Sequence, residues 1–260
     1  MWPEPASTTL GFVTAVFVHG VPETWIVWDA LKETLAGESL ALALPGFAAP
    51  LPGGFTASKD DYARWLAGEL RAVGGPIDLV GHDFGGILCL RVVTGLGMPV
   101  RSWAVDLANV FHPDYVWHRT ARIWQTPEAG EEALAMVRVD GSDGGARGAA
   151  RLEQLGMPAV VGREMSIAHD RTMSECILRL YRSALPNVRS DWRAEVPAAG
   201  VPPGLVLHAA ADPFGDESMS GEVASELGAA TARLDDLGHC WMAEDPERAA
   251  TLLERFWASL

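Results

Sequence analysis

The residue that most restricts the chemistry of this chain is Asp83, which lies in the segment GHDFGG at residues 81–86. The apolar run IDLV at residues 77–80 precedes it and predicts a buried strand, and a helical apolar pattern follows it. Gly81 and Gly85 stand where a larger side chain would collide with a tight turn from strand to helix. We therefore expect the turn to hold the Asp83 carboxylate out at the carboxyl edge of a sheet.

An aspartate at such a turn favours displacement at a saturated carbon. A serine that attacked this carbon would leave a stable ether, whereas an ionised aspartate needs no base and forms an alkyl ester that water can cleave. Epoxides and alkyl halides are the electrophiles that fit this route. The competing interpretation is that Asp83 only caps the helix after it, as aspartates often do, and this segment alone does not separate the two.

Two residues later in the chain favour the catalytic interpretation. Asp212 follows the apolar run GLVLHA at residues 204–209, and His239 lies in LGHCWMAEDP at residues 237–246. Nucleophile, acid and then histidine is a known chain order for a catalytic triad. We expect His239 to activate the water that attacks the ester, and Asp212 to orient the imidazole and stabilise its charged form. Asp216 and Asp106 are the rival acids.

An apolar strand that ends at a histidine and a glycine, VFVHGVPETW at residues 16–25, supplies a further element. The backbone N–H of Val21 and that of Phe84 are expected to form an oxyanion hole. It would hold the carboxylate oxygen that does not attack, and later the tetrahedral intermediate of ester hydrolysis. Taken alone, this glycine fits an ordinary turn from strand to loop equally well.

Four segments together resemble the epoxide hydrolase branch of the α/β-hydrolase fold superfamily: HGVPETWIVWD at 19–29, LPGF at 44–47, GHDFGG at 81–86 and GHCWMAEDP at 238–246. Matching motifs span about residues 16–105 and 204–260. The resemblance implies an α/β fold with a mostly parallel sheet flanked by helices and an inserted helical cap. It also implies hydrolysis of an epoxide without a cofactor or a metal. The substrate pocket is expected to include His19, Pro22, Trp25 and Trp241.

The chain departs from two related groups of enzymes that share the aspartate turn. Fluoroacetate dehalogenases have arginines after the aspartate to hold the substrate carboxylate, and this chain has Phe84 and Ile87 there. Haloalkane dehalogenases commonly place a tryptophan directly after the nucleophile, and its indole N–H binds the departing halide. Phe84 has no such N–H, which disfavours dehalogenation without excluding it.

Epoxide opening needs a donor for the ring oxygen, and relatives supply it with tyrosines from the cap. Tyr181 resembles one of these tyrosines, although its ring could also serve only in packing. The place of the second cap tyrosine falls near Thr120, so that donor has no direct match. The candidates to replace it are Tyr115, Trp117, His118 and Trp124.

The pattern of strands and helices divides the chain into a core, residues 1–108 and 198–260, and an inserted cap, residues 109–197. The opening hairpin of the sheet is expected to be shortened. Strands are predicted at residues 13–18, 40–44, 77–80, 103–107, 205–209 and 232–234. Helices are predicted at 24–35, 59–73, 84–94, 215–227 and 246–259, and the cap carries a helical pattern at 165–183.

The composition of the 260 residues limits the classes of partner that the protein is expected to bind. A formal charge of −14 with scattered basic residues argues against nucleic acid and anionic membranes. The three cysteines are widely spaced and indicate neither a zinc site nor disulfides. Because no signal peptide or membrane span is evident, we expect a cytoplasmic protein, a monomer or a homodimer. Its substrate is expected to be small, organic and apolar to moderately polar.

The leading hypothesis is therefore an epoxide hydrolase that works through an alkyl ester on Asp83. A haloalkane dehalogenase with the same three residues is the first alternative. The second is a non-catalytic protein that binds a ligand on the same fold, since folds are reused for many functions.

Overall fold

A computed structural model describes residues 13–192 and 200–260 of the chain. Six strands form one sheet in the order β2-β1-β3-β4-β5-β6, and every neighbouring pair is parallel. This confirms the predicted fold class. The strands are β1 (Thr14–Val18), β2 (Ser39–Leu42), β3 (Ile77–Gly81), β4 (Ser102–Val105), β5 (Gly204–Ala209) and β6 (Ala230–Leu234).

Helices connect the strands and cover both faces of the sheet. In the core they are α1 (Asp29–Thr34), α2 (Lys59–Val73), α3 (Phe84–Thr94), α9 (Glu217–Leu227), α10 (Trp241–Glu244) and α11 (Pro246–Ala258). Between β4 and β5 lie α4 (Arg119–Gln125), α5 (Ala129–Ala135), α6 (Ala146–Gln154), α7 (Ala159–Ala168) and α8 (Arg171–Ser183). Short 3₁₀ turns occur at Trp25–Trp28, Ala108–Phe111 and Val188–Ser190.

The burial of β1 shows how the sheet is held between two layers. Val16 and Val18 pack into an apolar cluster with side chains of α2, α3 and α9, whereas Ala15 and Phe17 pack with side chains of α1 and α11. Successive side chains of a strand point to opposite faces, so the run of apolar residues fills both clusters. A strand buried on both faces keeps its carboxyl end in a fixed position, and the candidate nucleophile follows such a strand.

Helices α4–α8, here called the insertion, leave the sheet after β4 and return to it at β5. Within the insertion, α4 packs against α5 and α8, and α6 packs against α7. The apolar side chains of α8 are buried, and they include Met173, Ile177, Leu180 and Tyr181. No helix among the described residues is both long and apolar enough to cross a bilayer.

Two helix predictions are wrong in detail. The helix predicted at 24–35 begins as a 3₁₀ turn, and only Asp29–Thr34 is α-helical. The pattern at 165–183 is divided between α7 and α8, because the Asp170 carboxylate accepts a hydrogen bond from the Met173 N–H (2.8 Å) and starts a new helix. The predicted opening hairpin and the predicted return to the core at 197–198 lie outside the described residues.

The turn between β3 and α3 generates a prediction about stability. A Cβ atom at Gly85 would meet the carbonyl oxygens of Val18 and His19, the latter at 2.5 Å, and backbone cannot move aside easily. Gly85→Ala should therefore destabilise the fold by about 3 kcal/mol. The matched control is Gly221→Ala in α9, where a Cβ meets nothing within 4 Å and should stabilise by up to about 1 kcal/mol. Urea unfolding of both variants checks this, and equal stabilities would contradict it.

Candidate active site

Asp83 occupies a strained turn at the carboxyl edge of the sheet. β3 ends at Gly81 and α3 begins at Phe84, and Asp83 between them has φ 50° and ψ −124°. A non-glycine residue pays a conformational penalty for positive φ, and such residues concentrate at functional sites. A Cβ on Gly20 would come within 2.5 Å of the Asp83 Cβ, so the glycine of the β1 loop allows this close approach.

The Asp83 carboxylate faces two backbone N–H groups. The Val21 N–H donates to Oδ1 at 3.0 Å, and the Phe84 N–H stabilises the ionised form of the same carboxylate. These are the two groups that the sequence predicts as an oxyanion hole. The Val21 N–H therefore binds Oδ1, which is the oxygen that would not attack in the predicted reaction.

Burial is the largest influence on the pKa of Asp83 and raises it to about 6. The charges of His239 and His82 lower this pKa and offset part of the effect, and the charge of Glu23 adds to it. A carboxylate that is incompletely solvated is a better nucleophile than one in bulk water, but it needs a pH above about 6 to be mostly ionised.

His239 and Asp212 form the remaining part of a triad. The His239 Nδ1 lies 2.9 Å from the Asp212 Oδ2, and the Asp212 Oδ1 accepts a hydrogen bond from the Phe214 N–H at 2.8 Å. Burial opposes the charged form of both groups, but their mutual attraction prevails. It leaves the pKa of Asp212 below its usual value and that of His239 above it. The imidazole is therefore oriented through Nδ1, and Nε2 is left for proton transfer.

The two rival acids have other partners. Asp216 caps α9 by accepting a hydrogen bond from the Met219 N–H at 2.9 Å. Asp106 binds the Asp83 N–H at 2.8 Å through Oδ1, and its Oδ2 contacts His82. Of the three candidate acids, Asp212 is thus the one that is hydrogen-bonded to the His239 ring.

A buried ionic network that the sequence analysis missed supports the turn. The His82 ring lies between the Asp106 carboxylate and the Glu23 carboxylate, with Nε2 3.0 Å from the Glu23 Oε1. Burial lowers the pKa of His82, but these two charges outweigh it and raise the pKa well above its usual value. His82 is therefore an imidazolium between two carboxylates. Its signal in the sequence is that Glu23 and His82 each lie a few residues after an apolar strand, in the segments HGVPETW and GHDFGG.

Glu23 also lies beside His239. Its Oε2 accepts a hydrogen bond from the Gly20 N–H at 3.1 Å, and its Oε1 lies 3.9 Å from the His239 Nε2. Burial raises the pKa of Glu23, but the charge and hydrogen bond of the nearby His82 lower it by more. The resulting pKa of Glu23 is about 2. Glu23, His82 and His239 are the one group with metal-ligand spacing among the described residues. Because Glu23 and His82 already neutralise each other, an ion-pair network accounts for this group without a metal.

A cavity of about 180 Å³ extends from Asp83 into the insertion. Each of the helices α4–α8, or the residues directly beside it, contributes to its wall, which is mostly apolar. A much smaller cavity of about 10 Å³ adjoins it. The residues that line both are Asp83, His118, Tyr181 and Phe214.

The five candidate donors occupy different positions around these cavities. Tyr181 and His118 line both of them, Trp124 lines the larger, and Tyr115 and Trp117 line the smaller. The Trp117 Nε1 donates to the Ala184 carbonyl at 3.3 Å, so it has no proton left to donate. Burial and then the Asp83 charge raise the pKa of both Tyr115 and Tyr181, so both phenols stay protonated.

Of the four residues expected in the substrate pocket, Pro22 lines the larger cavity. The other three do not, which corrects the prediction. His19 is buried and its Nε2 accepts a hydrogen bond from the Leu44 N–H at 3.1 Å, so it holds the β2 loop. Trp241 is buried against Trp28, and its Nε1 donates to Asp106 at 2.7 Å. Trp25 begins a 3₁₀ turn and packs against neither apolar cluster.

Comparison with known proteins identifies the class of this protein. The chain matches the family model of the alpha/beta hydrolase family over residues 15–252, so it belongs to that family. The family supports hydrolase activity and confirms the resemblance found in the sequence. No curated protein matches the sequence.

Solved structures with several activities have a similar fold. Haloalkane dehalogenase DbeA from Bradyrhizobium elkani USDA94 is 20% identical, with a TM-score of 0.72, and the match covers 96% of this chain and 92% of that one. The Bacillus megaterium epoxide hydrolase is 15% identical (TM-score 0.73; 94% and 93% covered). A thermophilic esterase from Thermogutta terrifontis is 18% identical (TM-score 0.70; 95% and 90% covered). At these identities the likeness shows the fold alone.

The raised pKa of Asp83 generates a prediction about stability and pH. The folded-state pKa of about 6 lies above the ordinary value of 3.8, so the ionised carboxylate destabilises the fold, and this effect appears as the pH rises from about 4 to about 6. Asp83→Asn keeps an acceptor for the Val21 N–H and removes the charge. At about pH 8 it should be more stable than the wild type by up to about 3 kcal/mol.

Chemical denaturation across this pH range measures the difference, which should shrink as the pH falls through about 6. Asp216→Asn is the matched control, because it replaces one good helix cap with another at the surface. A difference between Asp83→Asn and the wild type that does not vary with pH would contradict the assignment of a raised pKa.

Proposed function

We propose that this protein hydrolyses an epoxide to a vicinal diol through an alkyl ester on Asp83, with the insertion serving as the cap over the site. The observation that carries the proposal is the composition of one small cavity. It holds a carboxylate under two N–H groups, a histidine paired with an acid, and the side chains of Tyr181 and His118 from the insertion. Epoxide opening requires this combination of nucleophile and proton donors.

His118 is suited to donate a hydrogen bond to the ring oxygen because of its tautomer. It caps α4, where its Nδ1 accepts a hydrogen bond from the Ala121 N–H at 3.3 Å, so the ring proton resides on Nε2. Burial, followed by the charges of His239 and Arg151, lowers the pKa of His118 to about 4, so the ring is neutral near pH 7. A neutral imidazole with a proton on Nε2 is a hydrogen-bond donor and leaves no buried charge.

Tyr181 is the second donor in this proposal. Its phenol lines both cavities, and its hydroxyl has no hydrogen-bond partner within the described ranges. The ring is held by edge contacts with Phe84, Trp117 and Trp124, at centroid distances of 5.3, 5.4 and 4.9 Å. Tyr115 ranks behind His118, because it lines only the smaller cavity, where the His118 backbone N–H stabilises its ionised form.

In the first step the free Asp83 oxygen attacks a ring carbon and forms a C–O ester bond. The ring C–O bond breaks, and its electron pair moves to the oxygen, which takes a proton from Tyr181 and accepts a hydrogen bond from the His118 Nε2–H. In the second step water attacks the ester carbonyl and gives a proton to the His239 Nε2, while the N–H groups of Val21 and Phe84 stabilise the oxyanion. Collapse releases the diol oxygen, which takes the proton from His239. The regenerated Asp83 carboxyl loses its proton, and this proton restores the donor.

Dehalogenation is the second candidate, and one observation favours it. The Trp124 indole lines the larger cavity, and its Nε1 has no hydrogen-bond partner in the portion of the chain that is described. An indole N–H is the kind of donor that a departing halide needs. Against this, Trp124 belongs to the insertion, and Phe84 beside the nucleophile has no donor to offer.

The two candidates are separated by trapping the ester. His239→Gln should remove the base for the second step and leave the first step intact, so the ester accumulates. Intact-protein mass spectrometry after incubation with a panel of epoxides should detect the mass of the whole epoxide, localised to Asp83. Addition of an alkyl group from a haloalkane panel, with release of halide, would contradict epoxide hydrolysis and support dehalogenation. The absence of any adduct from either panel would contradict both.

The donors are tested in the same trapping background. Tyr181→Phe and His118→Asn should each slow ester formation by about 10²-fold, and asparagine at position 118 keeps a cap for α4. Tyr115→Phe is the matched control and should slow it far less. Rapid-mixing mass spectrometry gives the rates of ester formation. An undiminished rate in His118→Asn would show that His118 is not a donor in ring opening.

A further inference from the structure

The wall of the larger cavity contains a buried histidine that the proposed reaction does not use. His169 lies between α7 and α8, is 4% exposed and lines this cavity. Its Nε2 lies 3.1 Å from the Ser174 Oγ, and this hydroxyl donates its own proton to the Asp170 carbonyl at 3.1 Å. Ser174 can therefore only accept from His169, so the ring proton resides on Nε2. The Nδ1 lone pair has no partner among the described residues.

A second acceptor lies in the same wall of the cavity. Ser166 also lines the cavity, and the His169 N–H donates to the Ser166 carbonyl at 3.2 Å, which keeps the two residues together. The Ser166 hydroxyl donates its proton to the Gly145 carbonyl. With that proton used, the hydroxyl oxygen can only accept a further hydrogen bond. His169 and Ser166, here called the acceptor pair, thus offer two lone pairs and no proton.

The acceptor pair lies well away from the candidate catalytic residues. Ser174, which holds His169, and Tyr181 both belong to α8 and are seven residues apart, a separation of about 10 Å along a helix. The other donors of the wall lie toward the reactive end. Thr120 is two residues from His118, and the charge of Arg151 affects the pKa of His118.

The surroundings of the acceptor pair favour an uncharged ligand group. Burial is the main cause that lowers the pKa of His169 to about 4, so its ring is neutral near pH 7. The charge of Asp170 raises this pKa, and that of Arg138 lowers it. The wall between the two ends is apolar and includes Val137, Leu152 and Met165. An anionic group would meet two lone pairs and no proton at the acceptor pair, and a cation would lose its hydration against an apolar wall, whereas an uncharged hydroxyl would gain two acceptors.

We propose that the acceptor pair binds a hydroxyl group of the substrate, so that the substrate is an epoxide with a hydroxyl group at the far end of an apolar chain. This inference rests on the proposed function for the reactive end of the molecule. The hydroxyl donates its proton to the His169 Nδ1 or the Ser166 Oγ, and the apolar chain extends through the cavity to the carbon that Asp83 attacks. The pair then determines specificity and takes no part in bond making.

The test compares two terminal epoxides of equal length, one with a hydroxyl group at the far end and one with a methyl group there. The chain length is varied in single methylene steps. At the best length the wild type should show a kcat/KM about tenfold higher for the hydroxylated epoxide, as expected for one buried hydrogen bond. A ratio near one at every length would overturn the proposal.

Variants locate the preference within the cavity. His169→Phe should bring the ratio close to one, and His169→Gln, which keeps a carbonyl acceptor, should retain part of it. Ser166→Ala should also lower the ratio. It replaces His169→Phe as the test of the acceptor pair if thermal melting shows that His169→Phe fails to fold. Glu164→Gln, on the exposed side of α7, is the matched control and should keep the wild-type ratio. A full preference in both His169→Phe and Ser166→Ala would contradict the role of the pair.

A binding measurement keeps this inference separate from the proposed reaction. Calorimetry with Asp83→Asn compares the binding of two ligands of the same length. One is a long-chain alcohol, and the other is an ether whose chain ends in a methyl group. Neither ligand needs to react. Stronger binding of the alcohol that disappears in Asp83→Asn/His169→Phe would support the acceptor pair even if no epoxide were turned over. Equal binding of the two ligands would overturn the acceptor pair and would leave the proposed reaction unaffected.

Discussion

The ion pair system around His82 is the interaction on which the rest of the site depends. Its imidazolium joins Glu23, from the loop after β1, to Asp106, which follows β4, and His82 itself follows β3. Asp106 in turn holds the Asp83 N–H and the Trp241 indole, which lies beside the loop of His239. One charged ring thus ties together loops from three adjacent strands and reaches a fourth loop. Removing any member would leave a buried charge without its partner, which is strongly destabilising.

This arrangement explains how the candidate nucleophile can be kept in a strained and poorly solvated position. Asp83 has a positive φ and a raised pKa, and each of these features opposes folding. The opposing contribution comes from residues that do not react: the Asp106 carboxylate on the Asp83 N–H, the Val21 N–H on its side chain and the glycines that let the loops approach. The strain and the raised pKa are therefore concentrated in one residue, and its neighbours supply the stability.

The parts of the site that the sequence predicted are those with a local cause. Asp83 and its turn follow from glycines at fixed offsets, and Asp212 and His239 follow from their positions after strands, so short segments specify them. The six strands were predicted within a few residues for the same reason, since a strand buried on both faces is a continuous apolar run. His19 and Trp241 were misjudged because their motifs are shared by pocket residues and by residues that bind the backbone or Asp106.

The residues that the sequence could not reveal are those whose roles depend on contacts between distant segments. The proton position on His118 is set by the Ala121 N–H, and that on His169 by Ser174 and the Asp170 carbonyl. In each case a histidine becomes a donor or an acceptor toward the cavity only because a second hydrogen bond fixes the other ring nitrogen. His118 offers a proton and His169 offers a lone pair, so the same side chain has opposite polarity at two places in the insertion. In the proposed reaction, the core fixes where the carboxylate attacks, and hydrogen bonds within the insertion decide which molecule is held there.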